Sequence, residues 1–341
     1  MGTSKLIVSS AAFLFEVPEP DSPLVVQELQ IGGTGPDTIR SRVKTMKVGV
    51  CGTGRMGASI AERLIAVGHE VAVWNRDAAK TKPLVDAGAK AVASPAALVE
   101  GCDAVIVMLL NDAATEAVYR GANGLLKAKL AGKLVIDMST IRPDTMVSVG
   151  QAAMRSGAAF VECPVGGSKV PAREGKLFGL VGGSEADVAR AKPLLEQLCR
   201  RIEHVGPLGA GATLKLAVNL PLLVYWQALG ESLTICKPLN LPPERLIDIL
   251  SDTAGAPAAM KGRGAIIAKV LGGAPLGETA FGITAAKKDL ATAVQFAASL
   301  HAELPVAKSA LACFEQAEAD GLGEADATTV SVHWTRRKPK S

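Results

Sequence analysis

Aromatic side chains make up only 4% of this 341-residue chain, while apolar residues as a whole make up 48%. Its cores must therefore be aliphatic and rich in alanine. Charge of one sign is also scarce. The formal net charge is +4, and no long basic stretch carries interleaved aromatics, which argues against a nucleic-acid partner and leaves room for a small anionic ligand. The six cysteines (Cys51, Cys102, Cys163, Cys199, Cys236, Cys313) contain no CxxC pair. They read as reduced thiols of a cytoplasmic protein, not as a disulfide frame or a zinc site. The four histidines (His69, His204, His301, His333) have no metal-ligand spacing, so no metal is expected. No apolar run reaches the roughly 18 to 20 residues needed to span a bilayer, so no membrane partner is expected.

The length accommodates two domains. Residues 1–45 carry Pro and Gly punctuation without a clear period. Leu6 to Phe15 is mostly apolar behind Lys5, but Glu16, Glu19 and Asp21 follow, and no small-residue cleavage site stands out. This stretch reads as a disordered N-terminal extension, with Met46 directly before the first convincing strand. The remainder divides into a nucleotide half at 46–208, a helical half at 209–333 and a basic tail at 334–341.

Lys47-Val48-Gly49-Val50-Cys51 has the pattern of a short buried strand. Gly52-Thr53-Gly54-Arg55-Met56-Gly57 follows at once. Ala58 to Ala66 is helical and stops by Gly68, and Glu70 to Trp74 is the next strand. A GxGxxG turn inside such a strand–helix–strand unit is a dinucleotide fingerprint. Gly52 permits the tight turn, Gly54 lets a pyrophosphate approach the backbone, and Gly57 lets the helix pack on the sheet. The helix N-terminus, with Arg55 and Met56, supplies N–H donors. The second strand ends in Asn75-Arg76 where an acid would favour NAD. Asn75 can hydrogen-bond a 2′-phosphate and Arg76 can pair with it, so NADP (NADPH) is favoured and NAD is the alternative.

Further strands are expected at 104–108, 134–137, 159–162, 177–181 and 202–205, with helices between them. This alternation predicts an α/β fold, a Rossmann-type doubly wound sheet that binds ligands at the carboxyl ends of its strands. Leu109-Leu110 and Ser139-Thr140 sit at that edge. A long helix then leads into an all-α C-terminal domain, with candidate helices at 244–251, 283–301 and 306–319.

Lys215 stands out on the long helix. It follows a glycine-rich turn (Gly206, Gly209, Gly211) and opens the apolar run Leu214 to Trp226. A lysine is rarely buried without a partner or a task. Asn219, four residues on, shares its helix face. The ordinary explanation is a lysine reaching from a helix end to solvent; the surrounding motifs favour a proton donor beside a substrate-orienting amide.

Those motifs occur in a familiar order: the fingerprint at 52–57, Asp137-Met138-Ser139-Thr140, Pro164-Val165-Gly166-Gly167-Ser168-Lys169, Gly209-x-Gly211-x-x-x-Lys215-x-x-x-Asn219, and Lys288-Asp289-Leu290. Together they resemble the β-hydroxyacid dehydrogenase family, which includes 3-hydroxyisobutyrate dehydrogenases, tartronate semialdehyde reductases and glyoxylate/succinic semialdehyde reductases. The resemblance covers about residues 46–333. It implies cofactor contacts at Gly52, Gly54, Gly57, Leu109, Leu110, Thr140 and Lys288, the last reaching the nicotinamide end. It also implies a catalytic lysine at Lys215, a substrate-holding asparagine at Asn219, and substrate contacts at Ser139, Phe281 and Asp289. Three departures stand out. Gly166 replaces the family serine, the usual MLP turn reads Met108-Leu109-Leu110, and Pro221 lies inside the Lys215 helix, where it predicts a kink.

The expected activity is interconversion of a small hydroxy acid with its semialdehyde or oxo acid. NADPH supplies the hydride, Lys215 acts as general acid/base, and backbone N–H groups around Gly166 and Gly167 hold the substrate carboxylate. Helices this apolar predict a homodimer or homotetramer. An imine reductase of the same architecture is the first rival, although such enzymes usually carry another residue at the Lys215 position. A non-catalytic dinucleotide-binding module, which should have lost the lysine, is the second.

Overall fold

A computed structural model describes residues 45–336. The expected extension 1–45, apart from Thr45, and residues 337–341 of the expected tail lie outside the described residues.

Among the described residues, nine strands form a single sheet. They are β1 (Lys47–Cys51), β2 (Glu70–Trp74), β3 (Lys90–Ala91), β4 (Ala104–Val107), β5 (Leu134–Asp137), β6 (Ala159–Glu162), β7 (Val165–Gly166), β8 (Leu177–Gly182) and β9 (Cys199–Gly206). Their order is β3-β2-β1-β4-β5-β6-β8-β7, with β9 also paired to β8. The first six are parallel throughout. The order 3-2-1-4-5-6 is that of the doubly wound dinucleotide fold, in which the strand order reverses beside β1 and opens a crevice at the strand ends. Helices cover both faces, which is why β4, β5 and β6 are buried at every residue and why they are apolar without alternation.

Past β6 the sheet departs from the uniform alternation expected of it. β8 runs antiparallel to β6 and β7, and β9 returns parallel to β8. β3 and β7 are two residues each, too short to leave a periodic signal.

The helical half begins with a 26-residue helix, Ala210–Ile235, entered through Gly209 at φ 99°. It continues as one helix across Pro221. The helices Pro243–Ser251, Ala258–Leu271, Ile283–Ser299, Pro305–Ala317 and Val330–Arg336 pack with it around a core that includes Trp226, Met260, Leu290 and Phe314. Ala258–Leu271 is absent from the sequence reading. Two interior glycines, Gly262 and Gly264, weaken its helical signal, and no side chain caps its start. The last helix corrects the expected tail boundary at 334. Trp334 donates to the Gln227 side chain at 2.8 Å, Thr335 is buried, and the Arg336 guanidinium bonds the Val270 carbonyl. Arg336 is exposed but tied to the fold by this bond. No helix among the described residues is long and apolar enough to cross a membrane.

Candidate active site

The fingerprint turn follows β1. Gly52 adopts φ 98°, and a Cβ there would lie 2.3 Å from the Met108 carbonyl oxygen. A Cβ on Gly57 would lie 1.8 Å from the Gly52 carbonyl oxygen, so only glycine lets the helix Arg55–Ala66 sit this close to the strand. Around Gly54 a Cβ would meet nothing within 4 Å, and Gly54 caps the helix with no side-chain hydrogen bond. An open, uncapped helix start of this kind suits a pyrophosphate.

The neighbouring turns are tied to this one. Thr53 N–H donates to Asn75 Oδ1 at 3.2 Å, and Asn75 Nδ2 donates to the Asp77 carbonyl at 2.9 Å. Arg76 is exposed and has no ion pair or side-chain hydrogen bond among the described residues. Met56 is half-buried against the sheet core. Arg55 has an unforeseen partner: its guanidinium pairs with Glu324 of the helical half at 2.8 Å. Its backbone, at the helix start, remains where the sequence placed it.

Leu109 is half-buried and Leu110 is 54% exposed. Leu109 N–H donates to Ser139 Oγ at 2.9 Å, and Ser139 N–H donates to Asp137 Oδ1 at 2.9 Å. Tyr119 Oη donates to the other Asp137 oxygen at 2.9 Å. Burial raises the Asp137 carboxyl against the pull of these bonds. Ser139, expected at the substrate, is instead fully buried. Its hydroxyl braces the Leu109 turn, so the structure does not bring it to a pocket.

The proposed proton donor stands at one end of a polar chain. Lys215 is 7% exposed, and its Nζ donates to Asn219 Oδ1 at 2.7 Å. Asn219 Nδ2 donates to Asp289 Oδ2 at 2.8 Å. Asp289, itself buried, pairs through its other oxygen with Lys288, whose ammonium also bonds the Thr140 carbonyl. Thus Lys215 and Asn219 on the long helix, Asp289 and Lys288 on Ile283–Ser299, and Thr140 of the nucleotide half form one continuous connection. Both Asp289 oxygens are engaged by the protein, which places this residue behind Asn219 and Lys288. Burial holds the Lys215 ammonium below the usual lysine range. The Asp289 carboxylate opposes that shift, and the Lys288 charge adds to it.

Gly166 pairs with Phe178 on β8, and Gly167 follows at φ 125°. Among the described residues, the N–H groups of Gly167 and Ser168 have no hydrogen-bond acceptor, so they are free to hold a carboxylate. A Cβ on Gly166 would make only an ordinary contact, 3.7 Å from Phe178 Cβ. The missing serine hydroxyl is therefore not a steric necessity.

Phe281 is half-buried on a turn clamped by Asp326, which accepts the Ala280 N–H at 2.9 Å, while Ala327 N–H donates to the Phe281 carbonyl at 2.7 Å. The sequence reading missed Asp326 and also Glu162, a buried acid whose carboxylate receives the first amides of the long helix. The lone acid closing the apolar strand Ala-Phe-Val-Glu was the one available signal for Glu162. Among the described residues no group of His, Cys, Asp and Glu side chains could hold a metal ion.

A family model described as the NAD binding domain of 6-phosphogluconate dehydrogenase matches residues 47–206. A second, described as the NAD-binding of NADP-dependent 3-hydroxyisobutyrate dehydrogenase, matches residues 209–333. Glyoxylate/succinic semialdehyde reductase 1 of Arabidopsis thaliana is 34% identical over 84% of this chain and 97% of its own. The solved structure of Mycobacterium tuberculosis 3-hydroxyisobutyrate dehydrogenase with L-serine superposes with a TM-score of 0.74 at 26% identity, covering 86% of this chain and 100% of that one. The protein Psf3, solved with NADP+ and 2-OPP, gives a TM-score of 0.74 at 26% identity over 83% of this chain and 98% of that one. With family models matched across both halves and a relative aligned over nearly its whole length, the chain belongs to the β-hydroxyacid dehydrogenase family of NAD(P)-dependent oxidoreductases.

Proposed function

We propose that the chain is an NADPH-preferring reductase that interconverts a small hydroxy acid and its semialdehyde or oxo acid, with Lys215 as general acid/base. The observation that carries this reading is the sealed Lys215 ammonium, bonded to Asn219 at 2.7 Å in a polar chain that ends at the nucleotide half. The reaction needs a hydride, a proton at the substrate oxygen and an anchor for the substrate carboxylate. The bound nicotinamide supplies the hydride. In reduction, Lys215 gives its Nζ proton to the carbonyl oxygen; in oxidation it takes that proton back. Asn219 holds the ammonium in one direction because Asp289 holds Asn219. The N–H groups of Gly167 and Ser168 receive the carboxylate. A lysine pKa lowered by burial brings proton transfer closer to the working range.

The glyoxylate and succinic semialdehyde named for the Arabidopsis relative support this substrate class. Gly166 makes the pocket less polar and roomier than a serine would. The preference for NADPH rests on the exposed, unengaged Arg76 and on the lack of an acid at the end of β2, and it agrees with the NADP+ bound by Psf3.

The test is a panel of glyoxylate, succinic semialdehyde, other small 2- and 3-oxo acids and a cyclic imine, followed by loss of NADPH absorbance. Turnover of the semialdehydes or oxo acids is expected. Reduction of the cyclic imine with none of the oxo compounds would replace this reading with the imine reductase.

A further inference from the structure

Glu162 ends β6 and is fully buried. Its Oε1 accepts the N–H groups of Gly209 at 2.6 Å and Gly211 at 2.8 Å, and its Oε2 accepts that of Ala212 at 3.2 Å. These amides belong to the start of the long helix, which has glycine at its cap position and no side-chain cap. A carboxylate from a distant strand therefore does the work of a capping residue and meets the positive end of the helix dipole. Two glycines leave room for it. A Cβ on Gly182 would lie 2.1 Å from Glu162 Oε1, and one on Gly211 would lie 2.4 Å from the Leu180 carbonyl oxygen and 3.3 Å from Glu162 Cδ.

Both ends of this contact lead to the candidate active site. Lys215 lies one turn beyond Gly211 on the same helix. Cys163, Pro164 and Val165 run from Glu162 directly to Gly166 and Gly167. We propose that Glu162 is a positioning residue for the reaction: it fastens the helical turn carrying Lys215 to the strand turn carrying the carboxylate anchor, and so sets the distance between proton donor and substrate. This rests on the reading of Lys215 as general acid/base.

Burial pushes the Glu162 carboxyl up to about 7, outweighing the three amide bonds, and the Asp137 carboxylate on neighbouring β5 pushes the same way. The other titratable group facing it is the buried Cys163 thiol. A raised carboxyl pKa means that the stability gained from Glu162 is full below the ordinary carboxylate range and is lost as pH rises through about 7. The capped arrangement thus accepts a neutral side chain. Glutamine, of equal length, keeps a carbonyl oxygen for Gly209 and Gly211 and gives up the longer bond from Ala212, so it should largely take its place.

The test compares Glu162→Ala, Glu162→Gln and Glu162→Asp in the full chain, using NADPH and succinic semialdehyde, together with amide hydrogen exchange over residues 209–216. Loss of the link should lower kcat about 100-fold in Glu162→Ala, the scale of a misplaced catalytic group, while KM and NADPH affinity stay within about threefold. Glu162→Gln should recover most of the rate. Glu162→Asp, charged but one methylene short, should not. Exchange at Gly209 and Gly211 should quicken in the alanine and aspartate variants and not in the glutamine variant. A folded Glu162→Ala with wild-type kcat, or an aspartate variant more active than the glutamine variant, overturns the proposal. Should the alanine variant not fold, the order of the other two decides. The exchange readout does not involve Lys215: unchanged protection at Gly209 and Gly211 in the aspartate variant overturns the link itself, whereas a fully active Lys215→Ala overturns the acid/base reading and leaves the exchange result standing.

Discussion

Hydrogen-bond partners, not burial, separate the residues proposed to act from those that brace. Lys215 and Ser139 both looked like contact residues in the sequence. Lys215 keeps its hydrogen-bonding head among polar groups of the site, whereas the Ser139 hydroxyl is spent on the Leu109 amide. Arg76 is the opposite case, exposed and without a partner among the described residues. It is the side chain proposed to meet a 2′-phosphate. Removing one charge-assisted contact typically costs about 1.5–3 kcal/mol, so Arg76→Ala should weaken NADPH binding by roughly tenfold to a hundredfold. NADH affinity, measured by the same fluorescence titration, should barely change. Equal weakening of both cofactors would remove the basis for the NADPH preference.

At the scale of elements, the nucleotide half was legible because its signals are local. An apolar strand, a glycine turn and a helix lie consecutively at 47–66, and the backbone needs glycine at Gly52 and Gly57 for reasons visible in a few residues. The two-residue strands β3 and β7 have no period to read, and the helix Ala258–Leu271 is masked by its glycines. Asp326 and Glu162 escaped for a different reason. Each acts on amides far away in the chain, and such pairings exist only after folding. The fingerprint makes a contrast that can be measured. Gly57→Ala places a Cβ 1.8 Å from the Gly52 carbonyl oxygen. It should force the helix off the strand, costing about 1–3 kcal/mol of stability as overpacking does, and weaken both dinucleotides. Gly54→Ala meets nothing within 4 Å. It should keep the wild-type Tm while still weakening both dinucleotides, because its Cβ enters the pyrophosphate path. A Gly54→Ala protein that loses Tm and keeps its cofactor affinity would contradict this assignment.

At the scale of the whole molecule, the long helix leaves an apolar stripe uncovered: Leu214, Val218, Pro221, Ala228 and Ile235 are exposed along it. Val218, Pro221, Leu222 and Tyr225 form a groove with residues 254–257. Such a stripe predicts self-association. Light scattering should find a dimer or tetramer at micromolar concentration that Val218→Glu dissociates, whereas a wild-type monomer would contradict it. The larger division proposed is between the halves: the nucleotide half carries the dinucleotide fingerprint that would hold the hydride donor, and the helical half carries the proposed proton donor, Lys215. Lys215→Ala tests that division most directly. General acid–base catalysis is typically worth about 100- to 10,000-fold, so kcat for reduction should fall by that factor while NADPH binds normally. In the wild type, the reductive kcat should decline as pH rises through a lysine pKa held below its usual range by burial, and this limb should vanish in the variant. Wild-type turnover by Lys215→Ala, with the pH profile unchanged, would contradict the account.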